Sequence, residues 1–209
     1  AQVSDQGISK SQLFILTLLT RLRQICCHPV LCQPDYDGAS GKLQLLEEIL
    51  EDSFSAGHRV LVFSAFTSML EIIRTNQRAL GREPFYIDGQ VAAEDRLAQV
   101  QRFNQGEGEL FLISLRSGGT GLNLTGADTV IHYDPWWNPA VEEQATDRAY
   151  RIGQENVVQV FKLVTRQSIE EKIYKLQQQK RELMDTVVLP GQNFLSHMSV
   201  DEIRSLFDF

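Results

Sequence analysis

Several things are scarce in this chain, and each scarcity excludes something. Cysteine is limited to three residues, clustered at 26, 27 and 32. An odd, clustered set argues against a disulfide framework and for a reducing compartment. Cys26, Cys27, His28 and Cys32 invite a zinc reading. Adjacent ligands suit a tetrahedral shell poorly, however, and no second C-x-x-C pair exists, so a helix end packed with small thiols is preferred. No apolar run approaches about 18 residues, which leaves no candidate membrane helix. The opening AQVSDQG lacks the basic end and apolar stretch of a signal peptide and reads as the interior of a longer chain. Positive charge is also short: 20 Lys and Arg face 27 Asp and Glu, a net charge of −7. That argues against a broadly basic nucleic-acid binder, although residues 162–182, with Lys162, Arg166, Lys172, Lys175, Lys180 and Arg181, leave room for a local basic groove. Finally, no phosphate loop of the form G-x-x-x-x-G-K-[ST] occurs. Gly41-Lys42 is followed by Leu43, with Tyr at position 36, and Asp201-Glu202 lies in the C-terminal tail rather than at the end of a buried strand. The chain on its own is therefore expected to bind ATP weakly and hydrolyse none.

The 43% hydrophobic content over 209 residues suits one domain with appendages. Apolar spacing predicts a helix over 13–25, stopped by Pro29, and an amphipathic helix over 42–55, ended by Gly57. Short apolar runs predict strands at 59–64, 84–88, 109–114, 129–134 and 157–164. Between them, helices are predicted at 67–80, at 92–104 with Leu97, Val100 and Phe103 on one stripe, and at 139–151. Further helices are predicted at 168–186, with Ile169, Ile173, Leu176 and Leu183 inward and a solvated charged face, and at 199–207. Strands alternating with helices make an α/β fold, a parallel sheet covered on both faces. The pattern alone fits a RecA-like lobe, a flavodoxin-like domain or a Rossmann domain, and motif content must decide. A nucleotide-dependent small-molecule enzyme would need G-x-G-x-x-G after the first strand, where FSAFTS stands.

The predicted helix 139–151 carries Gln144, Arg148 and Arg151 at i, i+4 and i+7, on one face. Two permanently charged guanidinium forks on one face suit a site that meets a phosphoryl group. The plainer alternative is surface pairing with Glu142, Glu143 or Asp147. RSGGTGLN at 116–123 follows a strand, and its glycines would let backbone N–H groups approach an anion; a tight turn is the alternative. Ser64 and Thr67 stand where a strand meets a helix and suit either a phosphate contact or simple capping. Asp88-Gly89 reads as a turn. Of Trp136 and Trp137, one is expected to anchor the link before Pro139 and the other to be exposed for stacking, unless both pack. Asn138 is the expected helix cap.

These segments resemble a known family. Q-x-x-D-R-x-x-R-I-G-Q is similar to motif VI, and S-x-R-S-G-G-T-G-L-N-L-T-G-A-D to motif V, of SWI/SNF-type superfamily-2 helicase-like ATPases, with D-P-W-W-N-P as their characteristic link. RVLVFSAFTSML resembles motif IV, FYIDGQVAAEDRLAQVQRFN the block after it, and LRQICCHP and SGKLQLLEEIL the segments that lead into the second motor lobe. The resemblance runs over roughly residues 10–185 and leans towards bacterial-like members. It implies a RecA-like lobe at 42–166, led in by 1–41 and followed by brace helices at 167–209. Arg148 and Arg151, with Gln144, would serve as finger arginines on ATP whose magnesium and phosphate loop belong to an absent first lobe. Gly121 and Asn123 would lie near the ATP ribose. Ser64, Thr67, Gly89, Ser114, Arg116 and Gly119 would face duplex DNA, joined by Trp137 as the exposed tryptophan. The implied partners are the first lobe, double-stranded DNA and a DNA-bound protein complex. No metal site is implied in this chain, and the implied location is cytoplasmic, or nuclear in a eukaryote. A strand-separating helicase would need a splitting pin, and a non-catalytic regulatory lobe would follow a degenerate phosphate loop upstream.

Overall fold

The apolar runs read as strands pair into a single sheet. The computed structural model describes residues 2–117, 121–150 and 157–184, with side chains from Phe14 to Gln179. The elements are α1 (Gln2–Cys27), a 3₁₀ turn (Pro29–Leu31), α2 (Gly41–Ser55), β1 (Val60–Ser64), α3 (Thr67–Ala79), β2 (Phe85–Ile87), α4 (Ala93–Asn104), β3 (Leu110–Ser114), β4 (Thr129–His132), α5 (Pro139–Thr146), β5 (Gln159–Lys162) and α6 (Ile169–Met184). The five strands are all parallel, in the order β2-β3-β1-β4-β5.

Period-two alternation places successive side chains on opposite faces. Val60 and Val62 of β1, Leu110 and Leu112 of β3 and Ile131 of β4 pack under α2 and α3, against Leu46, Leu50, Met69 and Ile73. Leu61, Phe63, Phe111, Ile113 and Val130 pack on the other face, against Val100 and Phe103 of α4 and Ala145 of α5. Both faces are covered, so β1, β3 and β4 are buried along their whole length. A smaller cluster of Leu19, Trp137, Ile169 and Ile173 joins α1 to α6. Gly57 closes α2 at φ +79°, while the next amide, His58 N–H, donates back to Ser53 O at 2.9 Å; only glycine enters that left-handed turn without strain.

Three elements depart from the sequence reading. Helix α1 begins at Gln2, well before the apolar spacing starts. Leu97 is 58% exposed, so the buried stripe of α4 is Val100 and Phe103 alone. Arg96 on the neighbouring position turns inward and donates to Asp88 O and Val91 O. Helix α5 stops at Thr146, short of 151, and Arg148 sits in the turn that follows. The expected helix at 199–207, and the side chain of Leu183, lie outside the described residues.

Candidate functional site at the carboxyl edge of the sheet

In open parallel sheets, ligands bind beyond the carboxyl ends of the strands, where the strand order reverses. Here the chain passes from β3 to β4 across the central β1, which puts that point at the ends of these three strands.

Ser64 and Ser114 end β1 and β3 side by side in register. Both are buried. Ser64 Oγ donates to Asp134 Oδ1 at 2.5 Å and accepts from Phe66 N–H at 3.1 Å, while Ala65 N–H also donates to Asp134 Oδ1 at 3.1 Å. The amides of residues 65 and 66 are thereby occupied. Phe66 holds the N-cap position of α3, and no side chain caps the helix, so neither Ser64 nor Thr67 is the cap the sequence suggested. The α3 start, with exposed Thr67 as its first residue, keeps an uncovered positive end. Exposed Gly89 and Arg116 stand nearby, and a Cβ on Gly89 would come only within 3.8 Å of Ser117 Oγ. The loops after β2 and β3 thus adjoin without crowding. Thr67, Gly89 and Arg116 lie at the surface, while Ser64 and Ser114 are buried at the strand ends. Gly119 lies outside the described residues.

A second group forms where the glycine-rich segment meets the end of α5. Gly121 takes φ +57° and is exposed, as is Asn123. Leu124 N–H donates to Arg148 O at 2.9 Å, and Arg148 Nη1 reaches Leu122 O at 3.4 Å. These bonds tie Arg148 to the segment. Arg148 is only 2% exposed, whereas Gln144 is exposed. The two therefore do not share one helical face as predicted, and Arg151 lies outside the described residues. Sequence reasoning gave no role to the residues that hold this segment from the opposite edge. Asn104 Nδ2 donates to Asn123 O at 2.8 Å, and its Oδ1 accepts from Gly126 N–H at 3.0 Å. Arg59 donates to the carbonyls of Gly126 (2.8 Å), Gly108 (3.0 Å), Glu107 (2.8 Å) and Phe103 while lying 4.0 Å over the Phe103 ring. A Cβ at Gly126 would meet Arg59 Nη1 at 2.8 Å and Asn104 Cα at 2.9 Å, so glycine is required there. The only sequence signal was Asn104 closing the F-N of its family block.

Between these groups lies the DPWWNP link. Asn138 caps α5 as expected, accepting from Ala140 N–H. Trp137, the tryptophan expected to be exposed, is 8% exposed and packed with Leu19, Ile169 and Ile173, while Trp136 is half-buried against the second core cluster, so both rings pack, the alternative the sequence left open. Trp137 is the anchor because α1 and α6 close over it.

Buried charges surround the link. Arg23 of α1 pairs with Asp134 at 2.8 Å and donates to Pro135 O at 2.9 Å. Lys42 pairs with Glu170, and Lys162 with Glu142. Glu142 also accepts from Trp136 N–H and from Gln177, both at 2.7 Å. Burial pushes the Glu142 carboxyl up, but Lys162 and these donors hold it below the usual carboxylate range. At Glu170, burial wins over the opposing pull of Lys42 and raises the carboxyl. These pairs correct one expectation: the polar face of α6 is not simply solvated, since Glu170 and Gln177 are buried. Of the cations that left room for a basic groove, Lys162 is committed to Glu142, and Lys175 to Glu171 at 3.0 Å. At the end of β4, burial lowers His132 to about 4; its ring stacks on Phe63 and Nε2 lies 2.9 Å from Thr146 Oγ1.

Among the described residues no group of three or more His, Cys, Asp or Glu could hold a metal ion, and no helix is long and apolar enough to cross a membrane. Burial pushes the Cys27 thiol well up, and His28 Nδ1 accepts from Val30 N–H.

A parallel sheet with glycine-rich and arginine-bearing segments at its carboxyl edge is the architecture of a helicase second lobe. The chain belongs to the helicase conserved C-terminal domain family, which matches residues 41–153, and within it to the SWI2/SNF2 type. YwqA of Bacillus subtilis, which carries the name of an ATP-dependent helicase/translocase, is 40% identical over 199 residues. The match takes in 92% of this chain but 22% of YwqA, so the chain spans about a fifth of that relative's length. Among solved structures, the Sulfolobus solfataricus SWI2/SNF2 ATPase C-terminal domain is 31% identical, with a TM-score of 0.74 over 94% of this chain and 82% of that one. The core of the same type in complex with dsDNA is 34% identical, with a TM-score of 0.76 over 94% of this chain and 42% of that one.

Proposed function

We propose that this chain is the second motor lobe of a DNA-dependent ATPase that translocates along duplex DNA. The observation that carries the reading is the gathering of the motif residues into two separate loop groups. One, built from the open start of α3, Thr67, Gly89 and Arg116, offers backbone N–H groups and a guanidinium to phosphates. The other joins exposed Gly121 and Asn123 to Arg148, whose buried guanidinium rests on Leu122 O. The likeness to a SWI2/SNF2 core solved with dsDNA supports the first assignment. A first lobe would hold ATP and its magnesium, and lobe closure would bring Arg148 and Arg151 onto the γ-phosphoryl group, where charge spreads in the transition state. Opening would relax the grip of the 64–67, 89 and 114–117 segments. Ser64 and Ser114 act here as supports beneath the DNA surface, and Trp137 as an anchor. Contacts confined to the backbone give weak sequence preference and strong salt dependence.

The test is hydrolysis by the full-length protein with and without duplex DNA, repeated in Arg148→Ala and Arg151→Ala. Stimulation by duplex that either change abolishes, with ATP still bound, is the expected result. Hydrolysis indifferent to duplex would instead indicate a single-strand or RNA helicase. An intact protein with no hydrolysis would be a regulatory lobe. The isolated chain is expected to hydrolyse no ATP.

A further inference from the structure

The proposed DNA surface stands on a buried network that begins in a different part of the chain. Arg23 lies near the end of α1, and its partner Asp134 lies 111 residues later in the link after β4. Both are buried, and the Arg23 guanidinium also lies 5.0 Å from the Phe66 ring, 5.3 Å from Trp136 and 5.7 Å from Trp137. Asp134 passes the connection on: its Oδ1 accepts from Ser64 Oγ and Ala65 N–H, and Ser64 Oγ accepts from Phe66 N–H. Phe66, touched at both its ring and its amide, is the N-cap of α3. The orientation of the α3 start is thus fixed by a chain of contacts from Arg23 through Asp134 and Ser64, and not by a capping side chain of its own.

We propose that Arg23 is a positioning residue for duplex binding: it aims the Thr67 and Ser68 amides at the start of α3 at a DNA phosphate while touching no DNA itself. The inference rests on the motor-lobe reading above. The Arg23 Nη2 donates to both Asp134 Oδ2 and Pro135 O while the guanidinium plane lies among three rings; a lysine ammonium keeps the charge but loses that flat stacking surface. Anion binding at a helix start depends on where its N–H groups point, and misplacing a contact group by about 1 Å can cost up to roughly 10²-fold.

The experiment measures hydrolysis by the full-length protein across a series of duplex concentrations. Two variants keep the buried carboxyl from being stranded: Arg23→Lys, which preserves the pair, and Arg23→Met combined with Asp134→Asn, which removes both charges together. The duplex concentration for half-maximal stimulation should rise severalfold in Arg23→Lys and about tenfold in the double variant, within the range that misplaced contacts produce. The DNA-free rate and the thermal midpoint should stay near those of the wild type. Unchanged half-saturation in both variants overturns the proposal. So does a fall in DNA-free and DNA-stimulated rates by the same factor, which marks a merely structural role. A wild-type protein that duplex does not stimulate removes the motor-lobe reading itself, and is told apart because it fails before any variant is made.

Discussion

The two edges of the sheet hold their loops by different chemistry. At the carboxyl edge the fixed points are buried ion pairs: Arg23 with Asp134, Lys42 with Glu170 and Lys162 with Glu142. At the amino edge, the Arg59 guanidinium reaches four backbone carbonyls, and side-chain pairs there, such as Arg102 with Glu107, Arg78 with Glu83 and His58 with Asp128, are partly open to solvent. Neutral carbonyls released from Arg59 can turn to water. A carboxylate released from Arg23 has none to turn to. Buried ion pairs rarely add net stability over apolar packing, yet losing one partner is costly. The carboxyl edge is therefore fixed in place by groups whose loss is punished, at the edge where the candidate ligands meet the chain.

The sharpest division between the edges should be in activity. Arg148→Ala in the full-length protein should lower duplex-stimulated hydrolysis by about 10³-fold or more, as for other arginines placed on a transferred phosphoryl group, whereas Arg59→Ala should lower it far less. Equal losses in steady-state assays would erase the distinction. In stability, Asp134→Ala should cost on the order of 3–5 kcal/mol, because Arg23 is left buried and unpaired; a urea melt that shows Arg59→Ala to be the costlier change would invert the comparison. Next comes pH. His132 is held neutral by burial, its proton affinity lowered to about 4. The unfolded chain takes up that proton below about 6.5 and the folded chain does not, so stability should fall as pH drops from about 6.5 towards 4. Glu142, depressed when folded, adds a loss of the same sign at lower pH. Urea midpoints at pH 7 and pH 5 measure the first effect, and His132→Asn should flatten it. Gly126→Ala at the amino edge should cost about 1–3 kcal/mol through overpacking against Arg59 and Asn104. Breaking the Arg78–Glu83 pair, an amino-edge contact exposed to solvent, should leave the melt unchanged.

The sheet was legible because a strand buried on both faces reads as an unbroken apolar run, as in VLVFS and LFLIS. Helix starts and stops set by local residues were legible too, such as Pro29 after α1 and Asn138 before α5. What was not legible depends on partners distant in the chain. Nothing near residue 147 in the sequence signals the end of α5, where the backbone bonding tightens to Arg148 N–H on Ala145 O and Ala149 N–H on Thr146 O and the Arg148 carbonyl is taken by Leu124. Glu170 looks like one more charge on a solvated helix until Lys42, 128 residues away, is brought against it. Neighbouring tryptophans of one type cannot be ranked for burial until α1 and α6 are in place. Burial at the motif positions was likewise not legible: Ser64 and Ser114 are covered and Thr67 and Arg116 exposed because of tertiary contacts.

The placement of Trp136 and Trp137 has an optical consequence. They are the only two tryptophans among the 209 residues, and both rings lie within 6 Å of the Arg23 guanidinium. The ultraviolet emission of this chain thus comes almost wholly from one joint, where the α1 end, the DPWWNP link and the α3 start meet. A shift in its wavelength or intensity on mixing with duplex reports movement at that joint, with no label attached.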